Sequence, residues 1–167
     1  MRDSVPVSDP VVSGQEEKGM DELVFAPMLL KDLHDVYYIE QNVFPYHWTY
    51  RNLESSIATE NRGIVLRNRE GTLIGYFIAL DIVDEMELLK IAVGKEFQGK
   101  GYGRILLDKV LELARLLEME SVFLEVRESN TPAIGLYKAT GFKTVGIRPG
   151  YYVQPKEDAL LMKRIIK

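Results

Sequence analysis

A glycine-rich segment is the part of the sequence best suited to bind a phosphate group. It reads Gln98-Gly99-Lys100-Gly101-Tyr102-Gly103-Arg104 and follows the apolar run Leu88–Val93, which predicts a strand. Glycines at alternate positions allow backbone N–H groups to approach an anion closely. The predicted helix that follows would direct its N-terminal N–H groups at the same place. We therefore predict a pyrophosphate site, to which Lys100 and Arg104 add positive charge.

Two other interpretations of this segment remain open from the residues alone. Glycine-rich turns between a strand and a helix are common and can be merely tight. A dinucleotide-binding fingerprint requires an acidic residue about 20 positions later, at the end of the next strand. Glu125 follows Gly103 by 22 residues but lies inside the next predicted strand. A Walker loop is excluded, because Gly-Lys is not followed by Ser or Thr.

A second segment combines a strand glutamate with an asparagine and a tyrosine. Glu125 alternates with Leu124 and Val126, so its carboxylate is expected on the face of the strand opposite to these apolar side chains. Asn130 precedes a predicted helix, and Tyr137 follows seven residues later within that helix. Taken alone, Glu125 could be a solvated or ion-paired strand residue, Asn130 a turn residue and Tyr137 a core aromatic.

The elements that would position these residues alternate between strand and helix. Predicted strands are Leu23–Pro27, Gly63–Asn68, Leu73–Val83, Met86–Val93, Ser121–Val126, Lys143–Arg148 and Ala159–Ile165. Predicted helices are Lys31–Asn42, Tyr50–Thr59, Gly103–Leu117 and one that is capped by Thr131 and ended by Gly141. The order β-α-α-β-β-β-α-β-α-β-β predicts an α/β fold, with a sheet of mixed direction flanked by helices.

Length and composition limit the class of protein. The 167 residues suffice for one domain with a substantial core, predicted over residues 23–167. The absence of cysteine excludes disulfide scaffolds, thiolate zinc sites and cysteine nucleophiles. A net charge of −4 argues against nucleic-acid binding and favours cationic partners. No apolar stretch is long enough to span a bilayer, so we expect a cytoplasmic protein that does not bind membranes.

Residues 1–22 differ from the rest of the chain. They contain two prolines, two glycines and three serines, without a helical or strand period. Such a composition predicts a mobile N-terminal tail. The segment lacks the basic start and the apolar run of a secretory signal.

The glycine-rich segment and the block Leu124–Asn130 together resemble the GNAT superfamily of N-acetyltransferases over residues 23–167. Gln-x-x-Gly-x-Gly between a strand and a helix is similar to the acetyl-CoA loop of that superfamily. The second block is similar to the RimI-type N-terminal alanine acetyltransferases of ribosomal proteins. That similarity continues in Ala133–Tyr137, Gly141-Phe142, Phe44-Pro45, Trp48, Arg148, Tyr151-Tyr152, Glu157-Asp158-Ala159 and Met162. The resemblance implies acetyl-CoA as the co-substrate.

The resemblance also implies roles for individual residues. Glu125 would be the general base and Tyr137 the general acid. An ordinary glutamate, with a pKa near 4.3, is a weak base for an amine, so a perturbed carboxylate or a relay water would be needed. Residues implied in acetyl-CoA binding are Ile91, Ala92, Val93, Gln98, Gly99, Lys100, Gly101, Tyr102, Gly103, Arg104, Asn130 and Tyr137. Side chains implied in acceptor binding are Phe44, Trp48, Glu85, Tyr151 and Tyr152, with packing an equal alternative for the first two.

The expected reaction is acetyl transfer to the α-amine of a basic protein tail, such as that of a ribosomal protein, by direct attack on the thioester. The alternatives are acetylation of a small amine (a polyamine, an amino sugar or an amino acid) and a non-catalytic module that binds CoA to regulate a partner. We predict no metal site, since His34 and His47 are the only histidines and have no carboxylate at ligand spacing. We expect a monomer or a weak homodimer.

Overall fold

The computed structural model describes residues 22–59 and 61–167. The predicted tail 1–22 therefore lies outside the described residues, apart from Glu22. The strands are β1 Val24–Pro27, β2 Arg62–Arg67, β3 Leu73–Ile82, β4 Glu85–Val93, β5 Ser121–Arg127, β6 Lys143–Val153 and β7 Lys156–Ile165. The helices are α1 Leu33–Val43, α2 Tyr50–Ala58, α3 Tyr102–Leu116 and α4 Thr131–Ala139, with short 3-10 helices at Leu30–Asp32 and Lys95–Phe97.

All seven strands form one sheet, in the order β1-β2-β3-β4-β5-β7-β6. Neighbouring strands are antiparallel, except that β4 and β5 are parallel. The crossover between these two strands runs through α3, as a parallel connection requires. The predicted α/β fold with a mixed sheet flanked by helices is confirmed.

Different helices cover the two faces of the sheet. Helices α3 and α4 pack on one face, and α1 and α2 pack on the other. The core of the first face includes Phe77, Leu88, Leu106, Val110, Leu124 and Tyr137, and the core of the second includes Val36, Leu53, Tyr76, Ile78 and Ala92. Alternation along β5 follows the prediction, because Val122, Leu124 and Val126 are all buried on the α3 face.

Strand β4 changes its pairing along its length. Its register with β3 steps from Ile78–Lys90 to Ala79–Leu88, so Leu89 is an extra residue that forms a bulge. Toward β5, the pairing covers only Glu85–Glu87 opposite Ser121–Phe123. Beyond these three pairs the two strands part. We call the space between residues 88–93 of β4 and 124–127 of β5 the strand gap.

The cap of α4 differs from the prediction. Asn130, rather than Thr131, is the N-cap residue, and its Oδ1 accepts the N–H of Ala133 at 3.3 Å. Both asparagine and threonine cap helices well, so the sequence alone does not distinguish the two neighbouring positions.

The last two strands are longer than predicted. Strand β6 extends to Val153 and β7 begins at Lys156, so most of the predicted connection 149–158 is strand. A register shift between Arg148 and Tyr152 allows Pro149 and Gly150 to lie within β6. None of the helices in the described ranges is long and apolar enough to cross a membrane.

Candidate functional site

The glycine-rich segment forms the turn that leads into α3. Gly99 and Gly101 have φ values of 75° and 90°, in the left-handed region that glycine adopts most readily. Gly101 is the N-cap of α3, and no side chain of the described residues caps this helix end. The first N–H groups of α3 are therefore free of side-chain acceptors within that part of the chain, which is the arrangement that binds anions at helix N-termini.

The side chains of this turn are arranged around its backbone. The Gln98 amide donates to the Val93 carbonyl at 3.0 Å and so ties the turn to the end of β4. Lys100 is exposed, with its ammonium 6.0 Å from the Phe97 ring centroid. Arg104 is also exposed, and its Nε lies 3.1 Å from Asp108 on the next turn of α3. Tyr102 packs edge-on against Phe97.

At the end of β4, the backbone N–H and C=O groups of alternate residues face the strand gap. The N–H of Gly94 donates to Ile74 of β3 at 2.8 Å, whereas the Val93 carbonyl faces the other way and accepts from Gln98. Because backbone groups alternate along a strand, Ile91 faces the same side as Val93. The backbone groups of Ile91 and the N–H of Val93 therefore face the strand gap, and their contacts with an extended ligand stay a prediction.

Ala92 does not share this orientation. A Cβ on Gly75 would lie 2.5 Å from the Ala92 carbonyl oxygen, so this carbonyl faces β3. The Ala92 side chain is buried in the core on the α1 face. Its predicted role in coenzyme binding is therefore not supported.

Helix α4 borders the strand gap on the α3 side. Asn130 is exposed at its N-terminus, and its side-chain oxygen is already used for capping. Tyr137 is 6% exposed and packs against Phe142. Burial, with a smaller contribution from Tyr152, raises the pKa of Tyr137 to about 12. The hydroxyl therefore stays protonated at neutral pH.

Glu125 lies on the other face of β5, as its alternation predicts. Its Oε1 is 3.0 Å from Nε of Arg148 on β6, so the carboxylate is ion-paired. A hydrogen bond to Glu125 is the main cause of the raised pKa of Tyr151. The carboxylate thus lies between two exposed side chains, Arg148 and Tyr151.

Two walls enclose the space above Glu125. The guanidinium of Arg127 lies 4.0 Å from the ring centroid of Tyr152 in β6 and 5.6 Å from that of Tyr46, which follows α1. Tyr151 and Tyr152 are in edge-to-face contact, with centroids 5.1 Å apart. We call this space the acceptor groove; its walls are the α1–α2 segment, residues 44–48, and the β6–β7 hairpin.

Comparison with known proteins is consistent with this geometry. A family model described as "Acetyltransferase (GNAT) family" matches residues 30–142. The chain belongs to the GNAT family of acetyltransferases. It is an N-acetyltransferase by this membership, and the sequence-based resemblance to the superfamily and to its RimI type is confirmed.

Relatives of this acetyltransferase include proteins with ribosomal substrates. It is 32% identical over 133 residues to the [ribosomal protein bS18]-alanine N-acetyltransferase of Escherichia coli strain K12, covering 78% of this chain and 89% of that protein. The crystal structure of the Escherichia coli ribosomal-protein-S18-alanine N-acetyltransferase has a TM-score of 0.81 at 30% identity, over 87% of this chain and 94% of that one. Ard1 from Thermoplasma volcanium has a TM-score of 0.80 at 29% identity, over 87% and 98% of the two chains.

Glu87 lies close to Glu125, and the sequence analysis did not single it out. It lies on β4 opposite Phe123, at the last pair before the strands part, and therefore on the same face as Glu125. Burial, followed by the nearby charge of Glu125, raises the pKa of Glu87, and Arg148 opposes this effect. Alternation along β4 between Met86 and Leu88 is the signal that could have identified it.

Glu85 has a different environment from that of Glu87. Its Oε1 accepts the Ser121 hydroxyl at 2.6 Å and pairs with Lys163 of β7. These contacts lower the pKa of Glu85 and hold it where β4 and β5 are still paired. The geometry therefore favours a structural role over the predicted contact with substrate.

Metal binding has no support in the described ranges, 22–59 and 61–167. Within them, no group of three or more histidine or acidic side chains is arranged to hold a metal ion. GNAT acetyltransferases use acetyl-CoA, and the glycine turn and strand gap have the backbone geometry to fit a pyrophosphate followed by an extended arm.

Proposed function

We propose that this protein transfers the acetyl group of acetyl-CoA to the N-terminal α-amine of a protein, a ribosomal protein being the favoured substrate. The observation that carries the proposal is the position of Glu125. It lies beside the strand gap, on the sheet face opposite to the glycine turn and α3, and its carboxylate pairs with the exposed Arg148. A coenzyme and a polypeptide can therefore approach the same point from opposite sides.

The coenzyme would be held mainly by backbone groups. The N-terminal amides of α3 and the turn Gly99–Gly101 would bind the pyrophosphate, and Ile91 and Val93 would bind the arm. Acetyl-CoA supplies an acetyl thioester, which an amine can attack directly. The N–H of Val93 is the candidate donor to the acetyl oxygen, in the manner of an oxyanion hole.

Glu125 would accept the proton of the attacking amine. Its present partner Arg148 is more than half exposed and has the charge of the incoming ammonium, so one cation can replace the other. Glu87 adds a second carboxylate on the same face, and its raised pKa makes it a stronger base than an ordinary glutamate. The pair favours a positively charged amine in the groove before the proton is lost.

Tyr137 would act on the leaving sulfur. Its pKa of about 12 exceeds that of an ordinary thiol, about 8.5, by about 3.5 units. Complete proton transfer to the thiolate would therefore cost about 5 kcal/mol. We infer that Tyr137 serves mainly as a hydrogen-bond donor to the sulfur, and that the final proton comes from solvent.

The energetics of deprotonation favour an α-amine over a lysine. Removing a proton at pH 7 costs about 1 kcal/mol for an α-amine and about 4–5 kcal/mol for a lysine side chain. The protein's net charge of −4 also favours a basic partner. Both arguments agree with the similarity to ribosomal-protein-alanine N-acetyltransferases.

An acceptor comparison tests the proposal. The protein is incubated with acetyl-CoA and a peptide that begins Ala-Arg, and the modified position is determined by mass spectrometry. The matched control is the same peptide with a blocked N-terminus, which keeps all side chains but lacks the α-amine. We expect modification of the free peptide only. Faster transfer to spermidine would favour a small-amine acetyltransferase, and CoA binding without any transfer would favour a regulatory module.

A further inference from the structure

The Glu40 carboxylate connects three parts of the chain on the α1 face of the sheet. Its side chain has 0% exposure. Oε1 accepts the hydroxyl of Tyr76 in β3 at 2.6 Å and lies 3.1 Å from Nζ of Lys90 in β4. Oε2 accepts the backbone N–H of Trp48 at 2.9 Å. One buried carboxylate thus fastens two strands to the α1–α2 segment.

Lys90 approaches this carboxylate because of the β4 bulge. The extra residue Leu89 brings Lys90 opposite Ile78, on the α1 face. Its ammonium lies 4.0 Å from the ring centroid of Phe44 and 5.1 Å from that of Trp48. The side chain is only 11% exposed. Lys90 therefore contacts both aromatic residues that were predicted to meet the acceptor.

The position of Lys90 along β4 connects the two halves of the site. The next residue, Ile91, begins the stretch whose backbone faces the strand gap, while Phe44 and Trp48 belong to a wall of the acceptor groove. The Glu40–Lys90 pair thus joins the strand that would hold the arm of the coenzyme to the segment that would hold the acceptor.

Stability alone does not account for such a pair. Desolvation of two buried charges offsets most of their attraction, and apolar side chains of similar volume often give equal stability. Burial lowers the pKa of Lys90, and Glu40 opposes this effect. Desolvation and charge attraction thus act in opposite directions on the lysine as well. What the pair does provide is a fixed geometry between β4 and residues 44–48.

We propose that Lys90 is a positioning residue for the acceptor: together with Glu40 it holds the Phe44–Trp48 segment against β4 and thereby sets the width of the acceptor groove. This inference rests on the proposed function of that groove. It requires acceptor binding to depend on Lys90 and coenzyme binding to be independent of it.

The decisive variant is Lys90→Met, which keeps the length of the side chain and removes the charge. We expect KM for the acceptor peptide to rise about tenfold, while Kd for acetyl-CoA and kcat at saturating peptide change less than twofold. An unchanged acceptor KM, or a matching loss of acetyl-CoA affinity, would overturn the proposal.

Lys109 provides a matched control on the other face of the sheet. Its side chain is 10% exposed, its ammonium lies 5.2 Å from the Phe25 ring centroid, and it pairs with Glu112 at 3.4 Å. Lys109→Met removes a comparable set of contacts far from the groove. We expect it to leave the acceptor KM unchanged; an equal rise in both variants would show a general effect of destabilisation and would refute the proposal.

A second variant covers the case in which Lys90→Met fails to fold because Glu40 remains unpaired. Glu40→Gln combined with Lys90→Met removes both charges. Trp48 is the only tryptophan in the chain, so its fluorescence reports directly on the segment. We expect the double variant to fold, with a shifted Trp48 emission and a raised acceptor KM. Wild-type emission together with a wild-type KM would overturn the proposal.

The fluorescence also separates the two proposals. If the wild-type protein acetylates no peptide, the proposed function fails. In that case, an altered Trp48 emission in Lys90→Met, with no change in Lys109→Met, still supports the positioning of the segment, and an unaltered emission refutes it.

Discussion

The coenzyme side and the acceptor side of the strand gap are built in different ways. On the proposed coenzyme side the groups that would face the ligand are backbone amides, at the glycine turn, at the start of α3 and at alternate residues of β4. On the acceptor side they are side chains: Glu87, Glu125, Arg148 and two tyrosines from three strands. A backbone site needs few particular residues, whereas a side-chain site can change its substrate by substitution.

This difference predicts which substitutions affect turnover and which affect the affinity for acetyl-CoA. Changes on the acceptor side are expected to alter turnover and acceptor choice while the affinity for acetyl-CoA stays constant. Changes in the glycine turn are expected to do the opposite. Tyr137 lies in the core on the α3 side, but Tyr152 on the other side contributes to its raised pKa, so substitution of Tyr137 tests the division.

The largest effect is expected for Glu125→Gln. Removing a general base lowers rates by about 10²- to 10⁴-fold, so kcat should fall in that range while Kd for acetyl-CoA is unchanged. Steady-state kinetics and calorimetry measure the two quantities. Glu128→Gln, an exposed glutamate three residues further on, is the control and should retain wild-type kcat. A wild-type rate for Glu125→Gln would remove this residue from its role as base.

Gly101→Val should weaken acetyl-CoA binding by about 100-fold, which corresponds to about 2.7 kcal/mol. No heavy atom of the described residues lies within 4 Å of where its Cβ would stand, so the cause is the φ of 90° rather than lack of space. A β-branched residue disfavours this conformation and would redirect the N–H groups of the turn.

Gly71→Val is the control for this prediction. Gly71 has a φ of 86° and equally open surroundings, but lies in the β2–β3 turn. It should lose stability without losing affinity for acetyl-CoA. Equal calorimetric affinity in Gly101→Val and the wild type would contradict the phosphate-binding role of the turn.

Tyr137→Phe should lower kcat about tenfold and leave Kd for acetyl-CoA within twofold of the wild type, as expected for the loss of one hydrogen bond to the leaving group. The buried ring and its contact with Phe142 are kept, so the fold should not change. A loss of coenzyme affinity equal to the loss of kcat would place Tyr137 on the coenzyme side alone.

The smallest effect concerns the stability of Glu87→Gln. A carboxyl group whose pKa is raised by folding makes the protein less stable as the pH rises above the ordinary value of about 4.3, because ionisation is harder in the folded state. The variant should therefore unfold at a slightly higher temperature than the wild type at neutral pH. In more acidic solution the difference should vanish, as thermal unfolding over a pH series can show.

Glu85→Gln should show the opposite sign. Hydrogen bonds from Lys163 and Ser121 lower the pKa of Glu85, so its ionised form stabilises the folded protein at neutral pH, and this contribution is lost as the solution becomes acidic. The variant should be less stable than the wild type at neutral pH and equal to it in acid. The same sign for both variants would contradict the assigned environments.

Much of the fold could be predicted from local patterns. The heptad-like spacing of Leu106, Val110 and Leu113 identified α3, and the alternation in Ser121–Val126 identified β5. The extent of β6 and β7 could not be predicted, because Pro149 and Gly150 normally end strands and only the bulge beside Tyr152 accommodates them.

The site was predictable to a different degree on its two sides. The glycine turn is a contiguous motif, and its conformation follows from glycine itself. The Glu125–Arg148 and Glu40–Lys90 ion pairs join residues 23 and 50 positions apart, and strand pairing brings Glu87 near Glu125, 38 positions away. Such contacts depend on strand order and on the Leu89 bulge, which no local pattern indicates.

The short pairing of β4 with β5 has a mechanical consequence. Only three residue pairs join strands β1–β4 to strands β5–β7, so the two parts of the single sheet are connected at one end of the strand gap. An extended molecule with amides along its length would lie in the strand gap between β4 and β5 as an additional strand. Acetyl-CoA bound in this way would complete the sheet between β4 and β5 as well as supply the acetyl group.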